Sequence, residues 1–132
     1  ILQRMKLLID THVFLWAVHG DPRLSEPARE AYLNRRNDLY VSAASFWEIG
    51  IKVSLGKLEL ASGWLETLRH EMEASGLRLL PVEPEHCASL ASLPFHHRDP
   101  FDRLLVTQAL KEGMSIITAD RKLAEYEPAC VW

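Results

Sequence analysis

Carboxylates stand at the ends of predicted elements in this sequence, where a parallel sheet would gather them. Asp10 directly follows the apolar run 6–9, and Asp120 follows the apolar run 114–118. Both runs are typical of buried strands, so the two acids are expected at the carboxyl edge of one sheet, where α/β folds bind ligands. Like charges crowded in such a pocket repel each other unless a cation or a proton neutralises them.

Further acids are predicted in the first turns of two helices. Glu48 lies in the helix after the second predicted strand, and Asp99 and Asp102 open the helix before the fourth. If both helices begin at the same edge, four or five carboxylates meet in one pocket. Hard oxygen ligands with few His or Cys partners suit Mg²⁺ or Mn²⁺ rather than zinc. A cation held this way positions a phosphate and generates a nucleophilic hydroxide.

Each acid taken alone also has an ordinary structural explanation. Glu48 completes a capping box with Ser45, and Lys52 lies four residues later, at ion-pair spacing. Asp102 stands where a box partner would be. Three other acids stand where helix N-caps are expected, namely Asp10, Asp99 and Asp120. Capping does not require all of these acids to fall on one edge, so their joint position favours a metal site.

The hydrophobic pattern predicts strands that alternate with helices. Strands are expected at residues 6–9, 39–41, 77–82 and 114–118, with a last edge strand at 129–132. Helices are expected at residues 12–18, 25–36, 45–55, 63–74, 84–93 and 99–112, with a short helix or turn at 120–126. The helix at 45–55 is apolar enough to be largely buried. Short connections imply an α/β fold, with a mostly parallel sheet of four to five strands sandwiched between helices.

Composition sets the class of protein. The chain has 132 residues, of which 48% are hydrophobic and 25% charged, and its formal net charge is −3. These values exclude a disordered chain and a strongly basic nucleic-acid coat. No apolar run approaches the roughly 18 residues of a membrane span. Cys87 and Cys130 are too few for a disulfide framework, so a reduced, cytoplasmic setting is expected. Residues 5–132 are expected to form one domain, with residues 1–4 as upstream sequence.

Cationic and aromatic side chains near the acids are candidates for contacting nucleic acid. The cations are Lys52, Arg98, Arg103 and Arg121, for which ordinary surface charge or pairing with the acids is an equal explanation. His96 and His97 precede the acidic helix, and a solvated loop is the favoured interpretation. The aromatic side chains are Phe14, Trp16, Trp47 and Trp64, whose helical placement favours core packing over base stacking for most of them.

Four segments in chain order resemble the PIN-domain family. They are LLIDTH at 7–12, SFWEI at 45–49, DPFDRLLV at 99–106 and IITAD at 116–120. Their order and the chain length are similar to those of VapC-type toxin ribonucleases. The resemblance implies a PIN-like parallel α/β sandwich whose metal site maps onto Asp10, Glu48, Asp102 and Asp120. Asp99 is an additional nearby acid. Thr11 and Thr118 match small hydroxyl positions that support the family's site, and His12 stands where many members carry Asn.

The activity implied by the resemblance is endonucleolytic hydrolysis of RNA phosphodiester bonds by a metal-activated water. Asp10, Asp102 and Asp120 would be primary ligands of Mg²⁺, with Mn²⁺ as an alternative, and Glu48 would act through a water. Candidates for supporting the site or contacting RNA are Thr11, His12, Thr118, Arg103 and Lys52. The implied partners are a VapB-like antitoxin and a second copy of the chain in a homodimer. An exposed part of the helices carrying Trp16, Trp47 and Trp64 would suit the antitoxin.

Other functions remain open at this point. A PIN-fold binding module could keep the fold without catalysis, although its acid set would be expected to be incomplete. A PIN nuclease could also process RNA or cut DNA outside toxin–antitoxin systems. A phosphatase with an aspartyl nucleophile usually needs Asp-x-Asp after the first strand, whereas this sequence has Asp10, Thr11 and His12 there.

Overall fold

The computed structural model describes residues 4–132, which form one parallel sheet with helices packed against it. The strands are β1 (Lys6–Ile9), β2 (Asp38–Ser42), β3 (Arg78–Leu80), β4 (Ser115–Ile117) and β5 (Cys130–Val131). The helices are α1 (Thr11–His19), α2 (Glu26–Leu33), α3 (Ala43–Ser54), α4 (Trp64–Ser75), α5 (Pro84–Leu90) and α6 (Pro100–Glu112), with a 3₁₀ turn at Leu123–Glu125. The α/β fold predicted from the sequence is confirmed.

The strand order places β1 at the centre of the sheet. The order is β3-β2-β1-β4-β5, and every pairing is parallel. Leu8 of β1 is aligned with Tyr40 of β2 on one side and with Ile116 of β4 on the other. The chain therefore changes winding direction beside β1. In open α/β sheets a crevice for ligands forms at such a switch point, outside the carboxyl ends of the strands.

Alternation along β1 divides the core between the two faces of the sheet. Leu7 and Ile9 lie in one buried cluster with Phe14 of α1, whereas Leu8 lies in the other with Leu105 of α6. Successive side chains of a strand point to opposite faces, and here both faces are covered by helices. Leu7, Leu8 and Ile9 are therefore fully buried, which explains why β1 is a continuous apolar run.

Several boundaries differ from the sequence predictions. Helix α2 ends at Leu33 rather than near residue 36, α5 ends at Leu90 rather than near residue 93, and β3 spans only residues 78–80. Helix α3 begins two residues earlier than predicted, because the Ser42 hydroxyl caps it by accepting from the Ala44 N–H at 3.0 Å. Local pattern defined the elements correctly, whereas side-chain caps set where they start.

The prediction that α3 is largely buried is partly correct: ten of its twelve residues are buried or half-buried, and Trp47 and Ser54 are exposed. Trp47 is 65% exposed and Leu55 is 62% exposed, because one side of α3 faces solvent. Leu65 of α4 is also exposed, whereas Leu68 of the same helix is buried. Helix α3 therefore presents an apolar outer surface as well as the inner face that packs on the sheet.

Of the expected upstream segment 1–4, the structure describes Arg4. Residues 1–3 of the expected upstream segment lie outside the described residues. Arg4, to which the sequence assigned no structural role, forms an ion pair with Asp38 at 2.7 Å. Within residues 4–132, none of the helices combines the length and apolar character needed to cross a membrane.

Candidate active site

Asp10 lies at the carboxyl end of β1, at the switch point. Its backbone N–H donates to the Ile117 carbonyl at the end of β4, at 3.1 Å. One carboxylate oxygen accepts from the Val13 N–H at 2.9 Å and so caps α1, and the other accepts from the Thr118 hydroxyl at 2.6 Å. Burial raises the pKa of this carboxyl, although these hydrogen bonds act in the opposite direction. Asp10 therefore caps a helix and also lies in the crevice.

Glu48 is hydrogen-bonded to Thr11, which follows Asp10 in the sequence. The Thr11 hydroxyl donates to Glu48 Oε1 at 2.7 Å, and Lys52 Nζ donates to Oε2 at 2.7 Å. Glu48 is only 3% exposed, so this pairing compensates a buried charge. Burial disfavours the charge of Lys52, but its hydrogen bond to Glu48 and the charge of Glu48 outweigh this and raise the pKa of Lys52.

The predicted placement of Glu48 in the first turn is wrong. Helix α3 begins at Ala43, so Glu48 lies in its second turn. The capping box with Ser45 does not form, because Ser42 is the N-cap and the Ser45 hydroxyl lies 2.8 Å from that of Thr11 instead. Glu48 therefore points into the crevice as part of a side-chain network and has no capping role.

Asp99 and Asp102 open α6 but do different things. Asp99 is the N-cap, and its Oδ1 accepts from two backbone N–H groups of the first turn at 2.8 and 3.1 Å. Asp102 faces the crevice. Burial, followed by the repulsion of the nearby carboxylates, raises the pKa of Asp102 to about 8. Those carboxylates are Asp99, Asp10, Glu48 and Asp120. The positively charged side chains of the described residues therefore do not neutralise the carboxylates around Asp102.

Asp120 follows β4 and completes the cluster. Its Oδ1 accepts from the Lys122 N–H at 2.9 Å, and its own N–H donates to the Thr118 hydroxyl at 3.0 Å. Its Oδ2 lies 2.7 Å from His97 Nε2. Burial acts to raise the pKa of Asp120, but the hydrogen bonds from His97 and Lys122 outweigh it and lower the pKa.

His97 belongs to this site, and its placement in a solvated loop by the sequence analysis is wrong. Its side chain is 12% exposed, and Nε2 lies 3.2 Å from Asp102 Oδ2 as well as close to Asp120. One ligand atom from each of these three residues lies within 4.8 Å of the others, as a metal site requires. A position two residues before the N-cap Asp99 was the only sequence signal, and it does not fix the direction of the ring.

Other predicted contacts take different places. The Arg103 guanidinium is buried and donates to the Pro94, Leu93 and Leu90 carbonyls at 3.0, 3.3 and 3.4 Å, so it is not available to bind phosphate. It also stacks on Phe95, 3.7 Å from the ring centroid. Arg103 is therefore a structural residue of the loop before α6.

The remaining candidates lie around the edge of the site or in the core. His12 is exposed at the start of α1, with its ring 6.2 Å from that of Trp16. Arg98 and Arg121 are exposed. Phe14 is fully buried and cannot stack on a base. Thr11 and Thr118 are buried; the Thr11 hydroxyl donates to Glu48, and the Thr118 hydroxyl donates to Asp10 and accepts from the Asp120 N–H.

The donor set of this crevice fits a divalent cation. Ligand atoms of His97, Asp102 and Asp120 lie within 4.8 Å of one another, and burial, followed by the charges of nearby carboxylates that include Asp10 and Glu48, raises the pKa of Asp102 to about 8. Cysteine is not part of this group. Oxygen ligands of this kind suit Mg²⁺ or Mn²⁺, and a bound dication would remove the repulsion that keeps Asp102 protonated.

Comparison with known proteins agrees with the motif pattern. The family model described as PIN domain matches residues 7–127. The chain belongs to the PIN-domain family. This confirms the resemblance on which the sequence prediction rested. The PIN chain is also 30% identical to Ribonuclease VapC22 of Mycobacterium tuberculosis over 133 aligned positions, covering 96% of this chain and 98% of that protein.

Solved structures share the PIN fold over nearly the whole chain. The crystal structure of VapBC2 from Rickettsia felis bound to a promoter DNA fragment aligns with a TM-score of 0.69 at 14% identity, covering 96% of this chain and 97% of the other. DNA-bound VapBC from Salmonella typhimurium aligns with a TM-score of 0.61 at 19% identity, covering 96% of each chain. At these identities the likeness establishes the fold.

Proposed function

We propose that this protein is a metal-dependent endoribonuclease of the VapC type, the toxin of a toxin–antitoxin pair. The observation that carries the proposal is the convergence of Asp10, Glu48, Asp102 and Asp120 at the switch point of the sheet. The relative named Ribonuclease VapC22 supports RNA as the substrate. Nucleases of the PIN family depend on metal ions. We take residues 5–132 as the domain that performs the reaction.

The residues divide the work of holding the cation. Asp10, Asp102 and Asp120 would be its ligands, and Glu48 would reach it through a water. Asp99 is a weaker candidate, because one of its oxygens caps α6. We assign Mg²⁺, with Mn²⁺ as a substitute, because all the ligands are carboxylate oxygens. When bound, the cation supplies Lewis acidity toward a phosphate and lowers the pKa of a water.

The chain's own residues orient the reacting groups. Thr118 and the Val13 N–H fix both oxygens of Asp10, so the carboxylate does not need to reorganise during the reaction. Thr11 and Lys52 fix both oxygens of Glu48 in the same way. His12 is exposed at the start of α1 and would contact the RNA strand.

The test is cleavage of a structured RNA by the purified protein with Mg²⁺, with Mn²⁺ and with chelator. Asp10→Asn is expected to lower the cleavage rate at least about 100-fold, since loss of even an indirect partner of a metal site often costs this much. Asp38→Asn is the matched control, because Asp38 begins β2 at the opposite end of the sheet. A wild-type protein that is inert with both metals would support the alternative of a non-catalytic binding module.

The antitoxin and the homodimer belong to the same proposal. The structures aligned above are of VapBC proteins, and α3 of this chain carries Trp47 with 65% of its surface exposed. Expression with and without the adjacent reading frame, followed by sequencing of RNA ends, tests the pairing. Growth arrest with discrete new ends only in the absence of the neighbour is expected. Cleavage that the neighbour leaves unaffected would favour an RNA-processing nuclease. A cytoplasmic location follows from the proposed substrate.

A further inference from the structure

Hydrogen bonds fix the orientation and the tautomer of the His97 ring. The Asp99 backbone N–H donates to Nδ1 at 3.0 Å, so Nδ1 carries a lone pair and the proton of the neutral ring lies on Nε2. Nε2 faces Asp120 Oδ2 at 2.7 Å and Asp102 Oδ2 at 3.2 Å. A histidine that ligates a metal usually has the opposite polarity, with its second nitrogen donating to an acceptor. The ring is therefore arranged to donate to the two acids.

Two buried side chains hold the loop that carries this ring. The Tyr126 hydroxyl donates to the Pro94 carbonyl at 2.7 Å and accepts from the N–H groups of His96 and His97, each at 3.1 Å. Arg103 donates to carbonyls of the same loop and of the end of α5. Both side chains are at most 8% exposed. Because buried polar groups need their partners, these contacts keep the loop and the ring in place.

We propose that His97 is a positioning residue, whose Nε2–H holds the carboxylates of Asp102 and Asp120 in the arrangement that receives the divalent cation. The inference rests on the proposed function for the metal site itself. Two carboxylates from different elements repel once both are ionised, and a donor between them counteracts their separation. A shared N–H keeps both oriented before the cation arrives, so less ordering is needed on binding.

Metal binding by the full chain tests the inference. Mn²⁺ affinity is measured by calorimetry for wild type, His97→Ala, His97→Gln and His96→Ala. His97→Ala is expected to bind at least about tenfold more weakly, the usual cost of losing a hydrogen bond to a metal-binding group. His96→Ala is the matched control, because its ring packs on Tyr126 at 4.9 Å between centroids and makes no hydrogen bond to the acids. His97→Gln keeps an N–H donor and is expected to recover most of the affinity.

A spectroscopic readout separates positioning from ligation. Long-range ¹⁵N–¹H correlation spectra are expected to show the His97 proton on Nε2 and a lone pair on Nδ1 both without metal and with Mg²⁺. A change to the Nδ1–H tautomer on adding Mg²⁺ would make His97 a ligand and overturn the inference. This measurement uses the wild-type chain, so it distinguishes positioning from ligation even if His97→Ala does not fold. A thermal unfolding curve of His97→Ala shows whether that variant is folded.

The affinities also identify which proposal fails. Unchanged or tighter Mn²⁺ binding by His97→Ala, or equally weak binding by His97→Gln, overturns the positioning role while leaving the nuclease proposal standing. Metal binding that depends on His97 in a protein that cleaves no RNA supports the positioning role and overturns the proposed function. A wild-type chain that binds neither Mg²⁺ nor Mn²⁺ overturns both.

Discussion

The acidic crevice has two halves that are supported in different ways. In the hydroxyl-supported half, Asp10 and Glu48 are 5% and 3% exposed, and the hydroxyls of Thr118 and Thr11 donate to them at 2.6 and 2.7 Å. In the histidine-supported half, Asp102 and Asp120 have side chains that are 22% and 35% exposed and share the Nε2–H of His97. The first half is held by the two hydroxyls, a backbone N–H and Lys52, and the second by a histidine on a loop.

The two halves differ in how far the negative charge of their carboxylates is compensated. Lys52 pairs with Glu48, and Asp10 has a donor on each oxygen, so the buried half is satisfied without a metal. Among residues 4–132, the carboxyl of Asp102 has only the shared N–H of His97, and burial with the surrounding charge raises its pKa to about 8. The buried half therefore fixes geometry, and the more exposed half is where a cation or a proton must bind.

The largest expected effect comes from removing a donor in the buried half. Thr118→Val deletes the hydroxyl that donates to Asp10 and accepts from the Asp120 N–H. We expect about 2 kcal/mol less free energy of unfolding, since a buried charged group loses its partner. Mn²⁺ affinity is expected to fall about tenfold or more. Chemical denaturation and calorimetry measure the two effects. Thr118→Ser keeps the hydroxyl and is the control; equal loss in both variants would contradict the hydrogen-bond explanation.

A pH titration probes the more exposed half. The pKa of Asp102 is raised from 3.8 to about 8, so the folded state binds a proton that the unfolded state has lost. Stability without metal is therefore expected to fall as pH rises from about 4 to about 8 and to level off above that. Since Mg²⁺ competes with this proton, its affinity is expected to rise by up to about tenfold between pH 6 and pH 7. Thermal unfolding with and without Mg²⁺ across this range checks both signs.

Removing Lys52 is expected to have a smaller effect. Its side chain is 31% exposed, so solvent screens part of its attraction to Glu48, and Thr11 still donates to that carboxylate. We expect Lys52→Met to lower the free energy of unfolding by about 1 kcal/mol or less. Lys57→Met, at an exposed position on the same segment, is the control. A decrease in the free energy of unfolding as large as that of Thr118→Val would show that Lys52 is as important as Thr118 for the stability of the buried half.

The smallest effect on the site is expected from Trp47→Ala. Trp47 packs edge-on against Phe101 at 5.3 Å between ring centroids and so joins α3 of one half to α6 of the other. An exposed aromatic pair contributes about 0.5–1.5 kcal/mol, so the domain should remain folded and bind Mn²⁺ normally. Antitoxin capture is expected to weaken. Trp64, which packs partly against the core, is the second position to test. Normal capture by both variants would place the antitoxin elsewhere.

Local patterns were sufficient for most of the fold. The run 6–9 predicted β1, Ser25 predicted the start of α2, and Asp99 with Pro100 predicted the start of α6. These signals depend on hydrophobic periodicity and on capping within one turn, which the sequence alone contains. Element ends were less accurate, because the Ser42 cap of α3 and the early end of α2 depend on how each segment meets the rest of the chain.

The residues of the site also differ in whether their places could be predicted from the sequence. The motifs around Asp10, Glu48, Asp102 and Asp120 identified the family, because their spacing along the chain is a property of sequence. His97 and Arg103 were misplaced, since their roles depend on Tyr126 and on carbonyls that only folding brings near. The place of a residue at the end of a helix or strand follows from its position in the sequence. The direction of a histidine ring in a loop, or of a buried guanidinium, depends on partners that are distant in the sequence.

The sequence was sufficient to predict that strands alternate with helices, that acids follow the strands and begin the helices, and that the chain belongs to the PIN-domain family. The tertiary structure alone decided that one side of α3 is exposed, that Arg103 is buried beneath the loop at 94–98, and that the His97 ring turns toward Asp102 and Asp120. The physical reason is range: periodicity and caps act within a few residues, whereas burial and side-chain direction are set by contacts between distant segments.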